Sequence, residues 1–425
     1  MNAGTLGVAQ ACERFAIGGR VREAALGAEA RIHDFEYPAQ RDVKLAVLAA
    51  FVEEGVSESD LAGSTGYGYD DAARARYESL LARVLGAERA LARLSLVSGT
   101  HAIVTAVAAC VPHGKALLSA TGRPYDTLRN AICDAPHALV ESAGIGYREI
   151  ALREDGTTDD AAIGAALEDG DVAAIFVQRS RGYAPRPSLD VAGCARVVEL
   201  ARASRHRPLV LVDNCYGELV EAREPCHAGA DLVMGSLIKN LGGGLAPGGG
   251  YVAGRAEVVE RVAARLYAPG LGAALGPTFG FGRAFIQGLF VAPLVVEQTL
   301  RGLDFVAALF SELGYRVDPA PGATRTDIVQ AIRLGDRDAL IRFAEGLQKA
   351  MPVNARYRPE PGPVPGYVDP VIMSSGAFVG GATIELSCDA PLREPYEVYV
   401  QGGIVTEHAI VGGLMAARAL WEGRR

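Results

Sequence analysis

Short apolar runs alternate with segments of helical periodicity between about residues 70 and 290. The apolar runs are ARLSLVSG, ALLSA, AAIFVQ, PLVLVDN, DLVMGS and GGYVAG, and helix-like stretches such as RARYESLLARVLG and HAIVTAVAACV lie beside them. Apolar strands with helices between them are typical of a mostly parallel sheet that is covered on both faces. We therefore predict an α/β fold built on a large doubly wound sheet.

The chain on either side of this region has a different pattern, which divides it into three predicted parts. Residues 1–65 show helical periodicity without strand signals and predict an N-terminal helical arm, and residues 66–290 form the large α/β domain. Residues 291–425 mix helical and strand-like segments and predict a smaller α+β C-terminal domain. The Pro/Gly-rich stretch at 270–282 predicts a domain junction or a substrate-facing loop.

Composition and charge exclude several classes of protein. The 425 residues carry 50 acidic and 42 basic side chains and a formal net charge of -8, without a basic patch of the kind that nucleic acids require, so we expect no nucleic-acid partner. The apolar stretches are too short to cross a bilayer and the N-terminus lacks a signal-peptide pattern, so we expect no membrane association and a cytoplasmic location. The 7 cysteines are scattered without a CxxC pair, which argues against a disulfide framework and a metal site.

The most informative pair of residues is an acid at the end of one apolar run and a lysine shortly after the next. Asp213 follows LVLV, Lys239 lies in MGSLIKNLGGG, and only 4 of the 42 basic residues are lysines. A pyridoxal phosphate (PLP) enzyme needs a lysine that forms a Schiff base with the cofactor and an acid that keeps the pyridinium nitrogen protonated. Both residues also have ordinary interpretations, the lysine as a solvated surface charge and the acid as the partner of an arginine.

Two further segments predict a phosphate site. Ser98, Gly99 and Thr100 stand between a predicted strand and a predicted helix, where backbone amides and the helix dipole favour an anion. Ser236 precedes Lys239 by three residues, so its hydroxyl is placed to reach a phosphate beside the Schiff base. The alternative for these hydroxyl residues is an ordinary role at a helix start.

Taken in order, these motifs resemble a known enzyme family. The segments YGYDDAARARYESLLARVLGAE, VSGTHA, RPYDTL, LVDNCYGE and GSLIKNLGGG are similar to the Cys/Met-metabolism group of fold-type I PLP enzymes, in particular to the methionine γ-lyase-like branch that includes the aluminium resistance proteins. The resemblance is densest between about residues 65 and 255 and extends through QGLFVAPLVV and ELSCDAPLREPYEVYVQGG. It implies a fold-type I, aminotransferase-like fold and PLP as the cofactor.

The resemblance also implies roles for individual residues. Lys239 would be the Schiff-base lysine and Asp213 the partner of the pyridinium nitrogen, while Gly99, Thr100 and Ser236 would hold the phosphate.

Three tyrosines have implied roles as well. Tyr125, in RPYDTL, matches a tyrosine that stacks on the cofactor ring and can pass a proton to a leaving group. Tyr67 and Tyr69, in GYGYDD, match a segment that reaches the phosphate of a neighbouring subunit. A homodimer or homotetramer with shared active sites follows from the resemblance.

The sequence departs from the family pattern at three places. Glu385 stands where γ-lyases have an arginine that binds the substrate carboxylate, and Arg393 is our candidate substitute. Tyr69 stands where relatives place an arginine on the phosphate, and QRSRGY at residues 178–183 replaces the usual Glu and Asn pattern near the ring oxygen. The identity of the amino-acid substrate therefore does not carry over from the family.

The activity implied by the resemblance is a PLP-dependent lyase that eliminates a γ-substituent, a thiolate or a halide, from an amino acid. Lys239 would move the α-proton and Tyr125 would serve as the acid for the leaving group. Two alternatives stay open: β-elimination or γ-replacement on the same scaffold, and a PLP-binding protein without lyase turnover that acts in cofactor storage or stress response.

Overall fold

The computed structural model describes residues 6–422 and separates into two compact units. One unit comprises Ala39–Pro293, and the other comprises the residues up to Pro38 together with those from Leu294 onward. One unit boundary, at Pro293, lies near the predicted boundary at residue 290, and the three-domain division stays a prediction. At the N-terminus, the units separate at Pro38 and not at residue 65.

The Ala39–Pro293 unit contains a seven-stranded sheet. Its strands are β1 Arg89–Arg93, β2 Ala116–Ser119, β3 Gly146–Glu149, β4 Val172–Gln178, β5 Leu209–Asp213, β6 Leu232–Ser236 and β7 Gly250–Gly254. The order across the sheet is β1-β7-β6-β5-β4-β2-β3. The pairs β6–β5, β5–β4, β4–β2 and β2–β3 are parallel, and β7 is antiparallel to both of its neighbours. The predicted large, mostly parallel sheet is confirmed.

Helices alternate with these strands. They are α3 Pro38–Glu54, α4 Ala72–Leu85, α5 Gly99–Cys110, α6 Asp126–Arg129, α7 Leu139–Ser142, α8 Asp160–Ala166, α9 Val191–Ala203 and α10 Ala256–Leu266. Short 3-10 turns occur at Glu58–Leu61, Pro225–Ala228, Asn240–Gly242 and Gly272–Ala274, and a π-helical turn at Asn130–Asp134. A 31-residue helix, α11 Gly282–Glu312, includes the unit boundary at Pro293.

The central strands of this sheet are buried on both faces, which explains their continuous apolar sequences. Six of the seven residues of β4 and four of the five residues of β5 are buried. The register pairs Gln178 of β4 with Asp213 of β5, and Asp213 with Met234 of β6. These parallel strands therefore bring Gln178, Asp213 and Ser236 to the same carboxyl edge of the sheet, where ligands bind in folds of this type.

The second unit contains a five-stranded antiparallel sheet. Its strands are β8 Arg316–Asp318, β9 Val329–Arg333, β10 Val371–Ser375, β11 Ser387–Pro391 and β12 Glu397–Gln401, in the order β10-β11-β12-β9-β8. Its helices are α1 Val8–Arg14, α2 Gly19–Ile32, α12 Arg337–Gln348 and α13 Thr406–Glu422. The mixture of helices with an antiparallel sheet is the predicted α+β pattern. Among residues 6–422, no helix is long and apolar enough to cross a membrane.

Candidate active site

Asp213 ends strand β5 with its side chain buried at the carboxyl edge of the sheet. Its Oδ1 accepts a hydrogen bond from the Cys215 backbone amide at 3.1 Å, which fixes the direction of the carboxyl group. Burial raises the pKa of the Asp213 carboxyl, and the positive charge of Lys239 works against that rise. A carboxylate at this depth is stabilised by a protonated nitrogen nearby.

Lys239 follows strand β6 in a tight turn, in which its backbone amide donates to the Ser236 carbonyl at 3.4 Å. Its Nζ lies 3.7 Å from the centroid of the Tyr216 ring. Burial disfavours the charge on Lys239, but the surrounding acidic groups, Asp213 among them, outweigh this effect and hold the pKa of the lysine well above its usual value. The lysine is therefore a half-buried group that is coupled electrostatically to Asp213, which argues against its interpretation as a solvated surface charge.

Gly99 begins helix α5 in close contact with the ends of β5 and β6. A methyl group added at this glycine would lie 3.2 Å from Cys215 Sγ and 3.4 Å from the Ser236 amide nitrogen. The missing side chain therefore lets the start of α5 pack directly against the end of β6, which brings the backbone of the two elements together as a phosphate held by backbone amides requires. Ser98 has another role, because its hydroxyl caps α5 by accepting from the His101 amide at 3.1 Å.

Tyr125 lies beside this helix start. Its hydroxyl forms a hydrogen bond with Thr100 Oγ1 at 2.8 Å, and its backbone amide donates to Gln178 Oε1 at 3.0 Å. Burial raises the pKa of the Tyr125 hydroxyl well above its usual value, and the charge of Asp213 adds to the effect. Tyr125 therefore keeps its proton at neutral pH and has a fixed position.

Sequence reasoning missed a buried polar network that supports the loop after Asp213. Arg179 is fully buried, donates from Nη1 to Asn214 Oδ1 at 2.5 Å and pairs with Glu221. Asn214 donates in turn to Glu224 Oε2 at 2.9 Å. Gln178, the neighbour of Arg179, holds Tyr125 as described above. The sequence feature that could have revealed this network is the run of polar residues that directly follows the apolar strand β4. These residues lie at the same edge of the sheet as Asp213, which ends the neighbouring strand β5.

Tyr67 and Tyr69 do not contact Lys239 in any hydrogen bond or ring contact of the described chain, and both are exposed. Their ring centroids lie 6.0 Å apart, so the two side chains form one aromatic surface feature. A single chain does not test whether this feature reaches a neighbouring subunit, and the role stays a prediction.

Arg393, the predicted substrate-binding residue, and Glu385, which stands at the position of the family's arginine, both lie in the other unit. Glu385 is buried, and its carboxylate accepts from the backbone amides of Phe378 at 2.9 Å and Val379 at 3.2 Å. Arg393 is half-buried and donates to Asp369 Oδ2 at 3.4 Å. Glu385 is therefore used to hold its own backbone, and the substrate role of Arg393 stays a prediction.

The residues of the large unit fit PLP. An aldehyde cofactor needs an enclosed amine, an aromatic cofactor nitrogen needs an acid, and a phosphate needs free backbone amides. Lys239, Asp213 and the backbone at the start of α5 around Gly99 supply these three groups, and Ser236 adjoins the last of them. The sequence-predicted residues Lys239, Asp213, Gly99, Thr100, Ser236 and Tyr125 thus converge on one edge of one sheet.

Comparison with known proteins agrees with this geometry. The chain is 43% identical over 368 residues to the uncharacterized protein YnbB of Bacillus subtilis, covering 85% of this chain and 86% of that protein. A solved carbon-sulfur lyase involved in aluminium resistance from Clostridium novyi NT superposes with a TM-score of 0.90 at 37% identity, covering 96% of this chain and 98% of that one. Cystathionine gamma synthase from Xanthomonas oryzae pv. oryzae, at 17% identity and a TM-score of 0.61 over 89% of this chain and 99% of that one, shares the fold.

The family comparison covers nearly the whole chain and confirms the resemblance seen in the motifs. The family model for methionine gamma-lyase matches residues 22–420, which include both compact units. The chain therefore belongs to the methionine gamma-lyase family.

Proposed function

We propose that this protein is a PLP-dependent carbon-sulfur lyase that eliminates a γ-substituent from an amino acid. The observation that carries the proposal is the electrostatic coupling of Lys239 with the buried Asp213, with Tyr125 and Thr100 at the same edge of the sheet. Membership of the methionine gamma-lyase family and the similarity to a solved carbon-sulfur lyase support it.

Each residue of the site has a chemical task in this reaction. PLP, when bound, supplies an electron sink for the carbanion that forms at the α-carbon. Lys239 attaches the cofactor and moves the α-proton through its Nζ, and Asp213 holds the cofactor ring nitrogen protonated. Gly99 and Ser236 bind the phosphate through backbone amides and the serine hydroxyl.

Tyr125 is the proposed acid for the leaving group. Its high pKa keeps a proton on the hydroxyl at neutral pH, and Thr100 holds that hydroxyl in one direction. A thiolate is a strong base and gains from protonation as it departs, whereas a halide departs without a proton. We propose a thiolate as the natural leaving group, because proton transfer from Tyr125 assists the departure of a basic thiolate and does not assist the departure of a halide.

Cystathionine provides the test, because it can be cleaved on either side of its sulfur. Cleavage at the γ-carbon releases cysteine, 2-oxobutanoate and ammonia, whereas cleavage at the β-carbon releases homocysteine, pyruvate and ammonia. We expect 2-oxobutanoate from the wild-type protein and no product from Lys239→Ala, with Lys115→Ala as the matched control because Lys115 Nζ donates to the Gly170 carbonyl on the protein surface. Pyruvate as the main product would favour β-elimination, and cofactor binding without either product would favour a storage role.

We also propose a homo-oligomer in which Tyr67 and Tyr69 reach the phosphate site of a neighbouring subunit. Their exposure on one chain supports this assignment. Mixing Tyr67→Ala with Lys239→Ala protein is the test: reassembled mixed oligomers regain activity if each site takes residues from two chains, and gain none if every site is built from one chain.

A further inference from the structure

Glu218 is a fully buried carboxyl group in the loop that follows Asp213. Its Oε1 accepts a hydrogen bond from the Tyr251 hydroxyl at 3.0 Å, whereas its Oε2 has no hydrogen-bond partner among residues 6–422. Strand β6 leaves room for this pair, because a methyl group added at Gly235 would lie 2.9 Å from Glu218 Oε1 and 2.9 Å from the Tyr251 hydroxyl. The carboxyl group therefore packs against the strand that leads to Lys239.

Glu218 is also tied to the lysine turn through the backbone. Asn240, the residue after Lys239, donates from Nδ2 to the Glu218 carbonyl at 2.8 Å and to the Tyr216 carbonyl at 3.1 Å. The positive charge of Lys239 is close enough to lower the pKa of Glu218. A change in the charge of Glu218 therefore acts electrostatically on Lys239.

The charges around Glu218 leave it without a cation of its own. The titratable and charged groups that face it are Tyr251 from β7, Tyr77 from α4, Cys215 and Glu224 from its own loop, Lys239 from the turn after β6, and Arg179 from the segment after β4. Lys239 is coupled to Asp213, and Arg179 pairs with Glu221. Ionised Glu218 would thus be a buried charge without a balancing partner, which is costly.

Burial accordingly raises the pKa of Glu218 to about 8, and the neighbouring Glu224 carboxyl adds to the rise. The backbone amide of Glu218 itself, the Lys239 charge and the Tyr251 hydrogen bond act in the opposite direction. The group is therefore placed to change its charge just above neutral pH.

We propose that Glu218 is a neutral carboxylic acid at physiological pH and a positioning residue that controls the protonation of Lys239. While Glu218 is neutral, it adds no negative charge beside Lys239, so the proton on Nζ is held less tightly than it would be beside an ionised Glu218. When Glu218 loses its proton, the added negative charge stabilises the ammonium form of Lys239 and weakens the lysine as a base and as a nucleophile. The part of the inference that concerns Lys239 rests on the proposed function, whereas the protonation of Glu218 does not.

Infrared difference spectroscopy of the purified full-length protein tests the protonation directly. A protonated carboxyl group has a carbonyl band that its ionised form lacks. We expect Glu218→Gln to remove one such band at neutral pH, and the wild-type band to disappear as the pH is raised past about 8. Glu224→Gln is the matched control: its carboxylate accepts hydrogen bonds from Asn214 and from the Leu219 amide, and its replacement leaves the band in place.

Tyr251→Phe provides a second variant that keeps the acid. It removes a donor that stabilises the ionised carboxylate, so the band should persist to higher pH than in the wild type. Identical carbonyl bands in the wild-type and Glu218→Gln proteins at neutral pH, or a Tyr251→Phe titration that moves to lower pH, would overturn the inference.

The effect of Glu218 on Lys239 is measured as the rate at which Lys239 condenses with added PLP, after the bound cofactor has been removed. The visible absorption band follows the reaction, and borohydride traps the product. The ratio of the Glu218→Gln rate to the wild-type rate should rise roughly tenfold from about pH 7 to about pH 9, the change that a one-unit shift in the lysine pKa produces. A constant ratio would refute the control of Lys239. Absence of condensation in both proteins, with the infrared band still present, would instead refute the proposed function.

Discussion

Replacement of Tyr125 by phenylalanine is the sharpest test of the reaction assigned to this site. The change removes the hydroxyl that bonds Thr100 at 2.8 Å, and it leaves the Gln178 contact to the backbone amide in place. General acid catalysis contributes about 10²- to 10⁴-fold. The loss of kcat/KM on a thioether substrate should therefore correspond to roughly 2.7 to 5.5 kcal/mol of transition-state stabilisation.

The assay compares γ-substituted amino acids whose leaving groups differ in basicity, from alkyl thiolates to aryl thiolates to chloride. The penalty of Tyr125→Phe should be largest for the most basic thiolate and should nearly vanish for chloride, because chloride departs without a proton. Tyr147→Phe is the matched control, a half-buried tyrosine on the edge strand β3 of the same unit. An equal penalty for every leaving group, or full activity on alkyl thioethers, would refute the role of Tyr125 as the acid.

Three further predictions address the framework of the site. Arg179→Met should lower the free energy of unfolding by about 3 kcal/mol and weaken cofactor binding, because it leaves Glu221 and the Asn214 amide oxygen without their buried partner; urea titration and a PLP-binding isotherm measure both effects. Gly99→Ala should weaken binding of PLP far more than that of unphosphorylated pyridoxal, since the added methyl group occupies the space beside the start of α5, and equal losses for the two ligands would contradict a phosphate site there. The raised pKa of Glu218 means that the folded protein binds the proton of this carboxyl group more tightly than the unfolded chain does. The stability that this proton contributes is therefore fully present below about pH 4.5 and is lost as the pH rises to about 8. Across that window the free energy of unfolding of the wild-type protein should fall by about 1.4 kcal/mol per pH unit relative to that of Glu218→Gln, as measured by urea unfolding.

The large sheet was predictable because its buried central strands have apolar sequences. Strands β4, β5 and β6 have no polar side chain before their last residue, and the sheet pairs them in parallel as that pattern indicates. Strand β3, Gly146–Glu149, was not predicted, because it lies at the sheet edge and is largely exposed, so it has no apolar signal. In the second unit, the run ATIELSC contributes to strand β11 only from Ser387 onward, because the residues before it form turns and bends.

Residues of the candidate site could be predicted from the sequence where the proposed reaction requires a particular residue type. A Schiff base requires a lysine and a pyridinium nitrogen requires an acid, so Lys239 and Asp213 stood out from their positions after two strands. Glu218 and Arg179 could not be found in this way. Their roles arise from burial and from partners far away in the chain, and neither quantity is encoded in local spacing. Ser98 shows the reverse case, in which a hydroxyl at the expected place is already used to cap a helix.

The environment of Glu385 determines how the substrate carboxylate can be recognised. Its carboxylate accepts two amide hydrogen bonds from the segment at Phe378 and Val379, so an arginine placed there would leave both amides unsatisfied and would bury a charge without a partner. The family's arginine therefore cannot simply be restored at this position, because the surrounding backbone has been built around an acceptor. We therefore propose that another cation binds the substrate carboxylate. Such a difference at a residue that would bind substrate can change the amino acid on which an enzyme acts. The predicted cofactor residues around Lys239 follow the family pattern, so the chemistry of the family can be kept while the substrate changes.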